Sequence, residues 1–306
     1  MKKHNIIAMA LTSLMALPVI AQDSTPAVGD ILQGINMFTP EEGDPAYKVK
    51  ANEKYGTQWG VDMAYGLWNT EKVSDVKRHN NLALLHAQLN QRLIEDKANG
   101  GTWLRVEFSG SWGLDRESAQ SDTFFTEAYA TASGLHADAM GPHEGIFPEV
   151  ALMQYFAGKR ACLIAGMVNL TNYFDAVSIA NDSFSSFTND GFVNSTILPL
   201  VDSNIGGILQ VELNRNNYMM VAVSRTGCDS GYNPFNSDYC DGYAVVGEYG
   251  HIFADGAATL RINPFYTSTD VDMDDGTGER RRQNAGLVAS IEYTPCDPLT
   301  LSLIHI

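Results

Sequence analysis

Arg105 and Glu107 stand two residues apart in TWLRVEFSGSW (102–112), with Trp103 two residues earlier, so a β-strand through this stretch sets an indole, a guanidinium and a carboxylate on one face. Together they suit a polyhydroxyl solute. The guanidinium presents five donors in a fixed fork, the carboxylate accepts, and the indole can lie against the C–H surface of a ring. Gln210, Glu212, Glu248 and Arg261 fall on similar polar strand faces. A second concentration of polar groups is the stretch 174–200, FDAVSIANDSFSSFTNDGFVNSTILPL, where Asp175, Asn181, Asp182, Asn189, Asp190 and Asn194 alternate with Phe174, Phe184, Phe187 and Phe192. It exceeds the roughly 12–15 residues of an ordinary connection, and a disordered linker does not carry so many phenylalanines. The expectation is an ordered loop folded back into a cavity, with Asp175, Asn181, Asp182 and Asn194 approaching the lumen. The alternative is that they cap turns within the loop.

Catalytic motifs find no foothold. G-x-S-x-G, H-E-x-x-H and the phosphate-loop pattern are missing, and the seven histidines are scattered. A glycosidase's two carboxylates need not be neighbours in the chain, so that chemistry stays open. Asp270-x-Asp272-x-Asp274-Asp275-Gly276 fails as a calcium loop, because position six is Asp275 and position twelve is Arg281. A solvated acidic loop answered by Arg280–Arg282 is the expectation, with no metal and no cofactor.

Residues 1–21 combine a basic start (Lys2, Lys3), an apolar run from Ile6 to Ile20 and small Ala21, the pattern of a cleaved secretory signal peptide. The formal net charge of −16, or −18 once Lys2 and Lys3 are removed, argues against nucleic acid or anionic lipid headgroups as partners. Cys228 and Cys240 bracket a polar segment in the manner of a loop-closing disulfide in an oxidising compartment, while Cys162 and Cys296 are expected as buried or free thiols.

Residues 22–54, with Pro26, Pro40 and Pro45, are expected as an irregular arm. Beyond them a two-residue period recurs from Gln58, at 82–93, 102–112, 150–157, 161–168, 205–214, 218–225, 243–253, 258–266 and 286–293, making ten strands. Connections between them alternate short and long, which is the layout of an antiparallel transmembrane β-barrel with short periplasmic turns and long extracellular loops. In 258–266, Ala258, Leu260, Ile262, Pro264 and Tyr266 face one way and Thr259, Arg261, Asn263 and Phe265 the other, as lipid and lumen require. The competing fold is a secreted β-sandwich that binds sugars without a channel; a barrel enzyme such as a lipase is a third class.

Three segments, HNNLALLHAQLNQRLIEDKANGGTWLRVEFSGSWG (79–113), LMQYFAGKRACLIAGMVNLTNYFD (152–175) and IANDSFSSFTNDGFVNSTILPL (179–200), resemble the OprB-type carbohydrate-selective porin family. The resemblance runs loosely over 55–301. It implies a sixteen-stranded outer-membrane barrel whose constriction passes monosaccharides by diffusion. Its implied partners are the permeating sugars, outer-membrane lipid and the barrel-assembly machinery. Relative to that family the chain stops early, and residues 302–306 (SLIHI) depart from porin sequence, so the expectation is a fragment with about ten of sixteen strands and a non-native tail.

Overall fold

The computed structural model describes residues 45–69, 79–114, 143–176, 195, 197–200, 203–226, 242–253, 258–269, 271–272, 280–281, 283–296 and 299–305. A helix α1 (Ala46–Tyr55) leads into one antiparallel sheet of eleven strands: β1 (Thr57–Asn69), β2 (His79–Ile94), β3 (Thr102–Gly113), β4 (His143–Phe156), β5 (Ala161–Val168), β6 (Asn204–Asn214), β7 (Asn217–Thr226), β8 (Gly242–Phe253), β9 (Ala258–Thr267), β12 (Asn284–Cys296) and β13 (Leu299–His305). Each strand pairs with the next in that order. The short pair β10 (Val271–Asp272) and β11 (Arg280–Arg281) stands apart and sets Asp272 opposite Arg280, the acidic segment answered by the basic one. The short connections 95–101, 157–160 and 215–216 join strands at one rim, and at the other rim β3 ends and β4 begins, β5 ends and β6 begins, and β7 ends and β8 begins.

Alternation decides which face meets what. Met63, Leu152, Leu163, Val223 and Leu287 are between 46% and 81% exposed on the outer face, whereas Arg105, Glu149 and Gln210 on the inner face are fully enclosed. A soluble sandwich would hide the first set and solvate the second. The opposite arrangement is what hydrocarbon requires of a barrel wall, because lipid replaces water outside and polar groups can be satisfied only within.

The sheet must curl. Loop residue Asn172 donates to Glu107 on β3 at 2.7 Å, and three residues later Asp175 accepts from Ser290 on β12 at 3.2 Å. Three residues reach about 11 Å, while β3 and β12, seven steps apart in the sheet order, would lie about 34 Å apart if the sheet were flat. The sheet is not closed, with β1 and β13 as its edges.

Three expectations change. The sheet has eleven strands, because β13 pairs with β12 from Cys296↔Leu299 to Ala289↔His305, across the boundary drawn at residue 301. The strand expected from Val150 begins at His143, because Pro148 does not end it but sits in a bulge, where Phe147 and Pro148 together oppose Phe108. A residue without an N–H is tolerated there. The arm is not irregular at its end either: α1 starts after Pro45 and stops at Gly56, whose left-handed conformation (φ 64°) closes the last turn. Its sequence AYKVKANEKY has helix-forming Ala, Lys and Glu but no apolar stripe, so periodicity did not reveal it.

The lipid-facing assignment is open to a direct test. Leu163→Arg, near the middle of β5, is expected to lower folding stability in lipid by about 2–4 kcal/mol. In a water-facing sheet the same change stays within about 0.5 kcal/mol; denaturant titration in vesicles separates the two.

Candidate functional site

The site is built where the long connection after β5 descends onto the concave face. Asn169 starts it: its side chain accepts from the Thr171 N–H at 3.1 Å and the Thr171 hydroxyl at 2.6 Å, capping a single 3₁₀ turn at Leu170–Asn172. That turn swings the chain inward, and Leu170, Tyr173 and Phe174 are buried completely. They join Trp103, Met153, Ile164, Ile208, Met220, Val246, Phe265 and Val288 in one apolar cluster, with Leu198 from the returning limb. Phe174, expected to anchor the loop, does so.

On one wall the loop meets two facing carboxylates. Glu107 and Glu149 are direct cross-strand neighbours on β3 and β4, a like-charge pairing that is unfavourable by itself. Arg105 answers them with Nε 3.0 Å from Glu149 and Nη2 4.0 Å from Glu107, and His86 lies 2.9 Å from Glu107. The loop completes the set. Asn172 donates to Glu107 at 2.7 Å and Glu149 at 3.2 Å, the Tyr173 hydroxyl donates to Glu149, and Arg105 lies over the Tyr173 ring, 5.5 Å from its centroid. Burial pushes the Tyr173 phenol well above its usual range, so it remains a neutral donor.

On the opposite wall the acceptor is Glu248 on β8. It takes the Asp175 N–H at 2.8 Å, the Asn263 amide at 2.7 Å and the Tyr218 hydroxyl at 2.6 Å. Tyr218 can lie this way because Gly250, its cross-strand partner, has no side chain; a Cβ there would fall 2.0 Å from the ring. Arg261 donates to the Ala176 carbonyl at 2.9 Å and Glu292 at 3.1 Å. Asp175 sits in the left-handed region (φ 53°), a conformation aspartate tolerates better than most residues, and thereby presents its N–H to Glu248 and its carboxylate to Ser290. Residues 169–176 thus form a crossbar tied to both walls.

Among the described residues, three atoms of this far wall are buried with no hydrogen-bond partner: Asp175 Oδ2, Asn263 Oδ1 and Arg261 Nη1. Two accept and one donates, the complement of a pair of hydroxyl groups.

No family model and no curated protein matches the sequence. Among solved structures the chain resembles the high-pH structure of Pseudomonas putida OprB, with a TM-score of 0.58, 13% identity, and coverage of 81% of this chain and 64% of that one. The fold is porin-like. The chain spans less than two thirds of the length of that neighbour.

The residues singled out in the sequence fall into three groups. Arg105, Glu107, Asp175 and Arg261 are brought together by the crossbar. Arg105 has no exposed surface and braces the loop's root, and Trp103 is covered by Arg92, 5.8 Å from its ring centroid, while its indole N–H donates to the Gly100 carbonyl at 2.8 Å. Glu212 is buried on the inner face of β6, close to the short-turn rim where Arg160 binds its carbonyl at 3.2 Å. Asn181, Asp182, Asn194, Cys228 and Cys240 lie outside the described residues; Cys162 is buried and free. Glu149, Asn172, Tyr173 and Ser290 escaped notice. Glu149 lies one residue before the strand start read from the sequence, beside Pro148, and the signal for Ser290 was its position on the non-apolar face of 286–293.

Burial, and then the neighbouring Glu248 carboxylate, raise Asp175 to about 6 from an unfolded value of 3.8. The native state therefore holds a proton that the unfolded state lacks between these values, so stability falls as pH rises through that window. At about 1.4 kcal/mol per unit, the far tether is expected to gain roughly 1–3 kcal/mol on going from pH 7 to below pH 4. Asp175→Asn should be more stable than the parent at pH 7 and lose most of this dependence; denaturant midpoints in vesicles at several pH values check it.

Proposed function

We propose that the chain forms wall and constriction of an outer-membrane channel through which carbohydrates diffuse, without catalysis, cofactor or energy input. The observation that carries this is the crossbar: a loop tied to both sides of a polar concave face, beside a buried set of two acceptors and one donor that have no partner among the described residues. Each such atom left bare costs about 1–3 kcal/mol. A passing polyol, offering hydroxyls that both donate and accept, relieves that cost transiently, and weak binding of this kind favours entry without preventing exit.

The apolar outer face supports a bilayer location, and the signal-like residues 1–21 support export. The sequence resembles the carbohydrate-selective OprB-type family, and the porin-like fold is consistent with it. Contacting partners in this scheme are the permeating sugar, membrane lipid and the barrel-assembly machinery. A secreted sugar-binding domain would present a polar outer face, so the exposed Met63, Leu152 and Leu163 disfavour it.

In this scheme Arg261 and Asn263 touch the solute, whereas Arg105 holds the loop. Arg261→Lys keeps the charge but loses the forked donor set, and Asn263→Leu removes the free acceptor. Liposome swelling is expected to show the preference for glucose over glycerol falling about two- to tenfold in each variant, from the loss of a hydrogen bond of about 0.5–1.5 kcal/mol. Deletion of 181–189 should instead admit larger solutes. An unchanged glucose preference in both variants together with an unchanged size limit in the deletion would sink the proposal. A protein that stays monodisperse without detergent would favour the secreted domain.

A further inference from the structure

We propose that α1 is an interfacial anchor that binds the anionic phosphate headgroups of the phospholipid leaflet at the short-turn rim. The helix buries no residue of its own, yet it is fixed in place. Its Asn52 accepts from Gln58 at 3.1 Å, the Tyr55 carbonyl accepts from Gln91 at 3.0 Å, and the Gly56 carbonyl accepts from the Arg92 N–H at 2.8 Å. Gln58 points into the sheet's concave side and its neighbour Trp59 points out. The helix therefore straddles the rim, and its Tyr47 turns to the outer side, stacking on Trp59 at 6.2 Å.

Trp59 begins the lipid-facing row that continues through Val61, Met63 and Tyr65, so α1 lies at the edge of an apolar surface already committed to lipid. Tryptophan and tyrosine at that depth mark the boundary between acyl chains and headgroups. The charges agree. The helix carries Lys48, Lys50 and Lys54 against Glu53 alone, in a chain whose formal charge is −16. Lys48 lies over Trp59 at 4.9 Å and Lys54 over Tyr55 at 4.8 Å, each ammonium held beside an aromatic ring at the level where phosphates would sit. Attraction between these lysines and an anionic surface would hold the rim of the barrel at a defined depth, and it falls off within a Debye length.

Hydrogen exchange tests this on the protein reconstituted in vesicles of phosphatidylcholine alone or mixed with phosphatidylglycerol. At about fivefold per lysine near an anionic surface, exchange across 46–55 is expected to slow by at least that factor in the mixed vesicles, and 1 M salt should reverse the effect, since screening then reaches within about 3 Å. The triple variant Lys48→Gln, Lys50→Gln, Lys54→Gln should show no difference between the vesicles. Should it fail to fold, Lys50→Gln alone, at an exposed position, should show a smaller difference than the parent. Equal exchange in both vesicle types overturns the proposal. So does slowing that is undiminished in the lysine variants, which would point to a second protein surface on the helix.

Discussion

Two carboxylates held side by side away from water govern this structure. Glu107 and Glu149 face each other across β3 and β4 with almost no exposed surface, an arrangement that strand pairing alone would disfavour. Burying an ionised carboxylate without partners costs several kcal/mol. Arg105 and, at Glu107, His86 answer part of the charge, and Asn172 and Tyr173, which belong to the loop, supply the further donors. The position of the loop is therefore a condition for having those charges inside at all. Glu248 repeats the logic on the other wall, where a loop N–H is one of its three donors.

This dependence runs both ways. A loop crossing open water would lose conformational entropy with little return. Here it returns Leu170, Tyr173 and Phe174 to an apolar cluster as well as its polar bonds. Polar tethers set where the crossbar touches each wall, and apolar burial supplies most of the reason to stay. The distance from Glu107 to Ser290 is then limited by the crossbar's own span, so the same segment that narrows the concave face also limits how far the sheet can uncurl.

The outer surface follows from the same division. Because β-strands alternate strictly, committing one side of β3, β4, β8 and β9 to charge obliges the other side to carry Leu104, Val150, Leu152, Ile262 and their neighbours. Such a sheet is comfortable only where water is absent outside. At the rim this division meets α1, where one residue (Gln58) turns inward, the next (Trp59) outward, and the helix touches both.

The strand alternation, the order of long and short connections, and the facing of Arg105, Glu107, Arg261 and Asn263 were legible in the sequence, because a period of two is a local property that any window of eight residues displays. Where that period is interrupted, local reading failed: Pro148 concealed the start of β4 and with it Glu149, and α1 lacks the apolar stripe that marks a helix. The inward course of the loop's first residues agrees with the expectation drawn from Phe174, while Phe184, Phe187 and Phe192 lie outside the described residues. What only the tertiary structure decided is which groups the loop joins. Asn172 meets Glu107 65 positions away in the chain and Asp175 meets Ser290 115 away. Nothing local to either partner encodes the other, because their meeting depends on the curl of eight successive strands, and that curl is a property of the whole sheet.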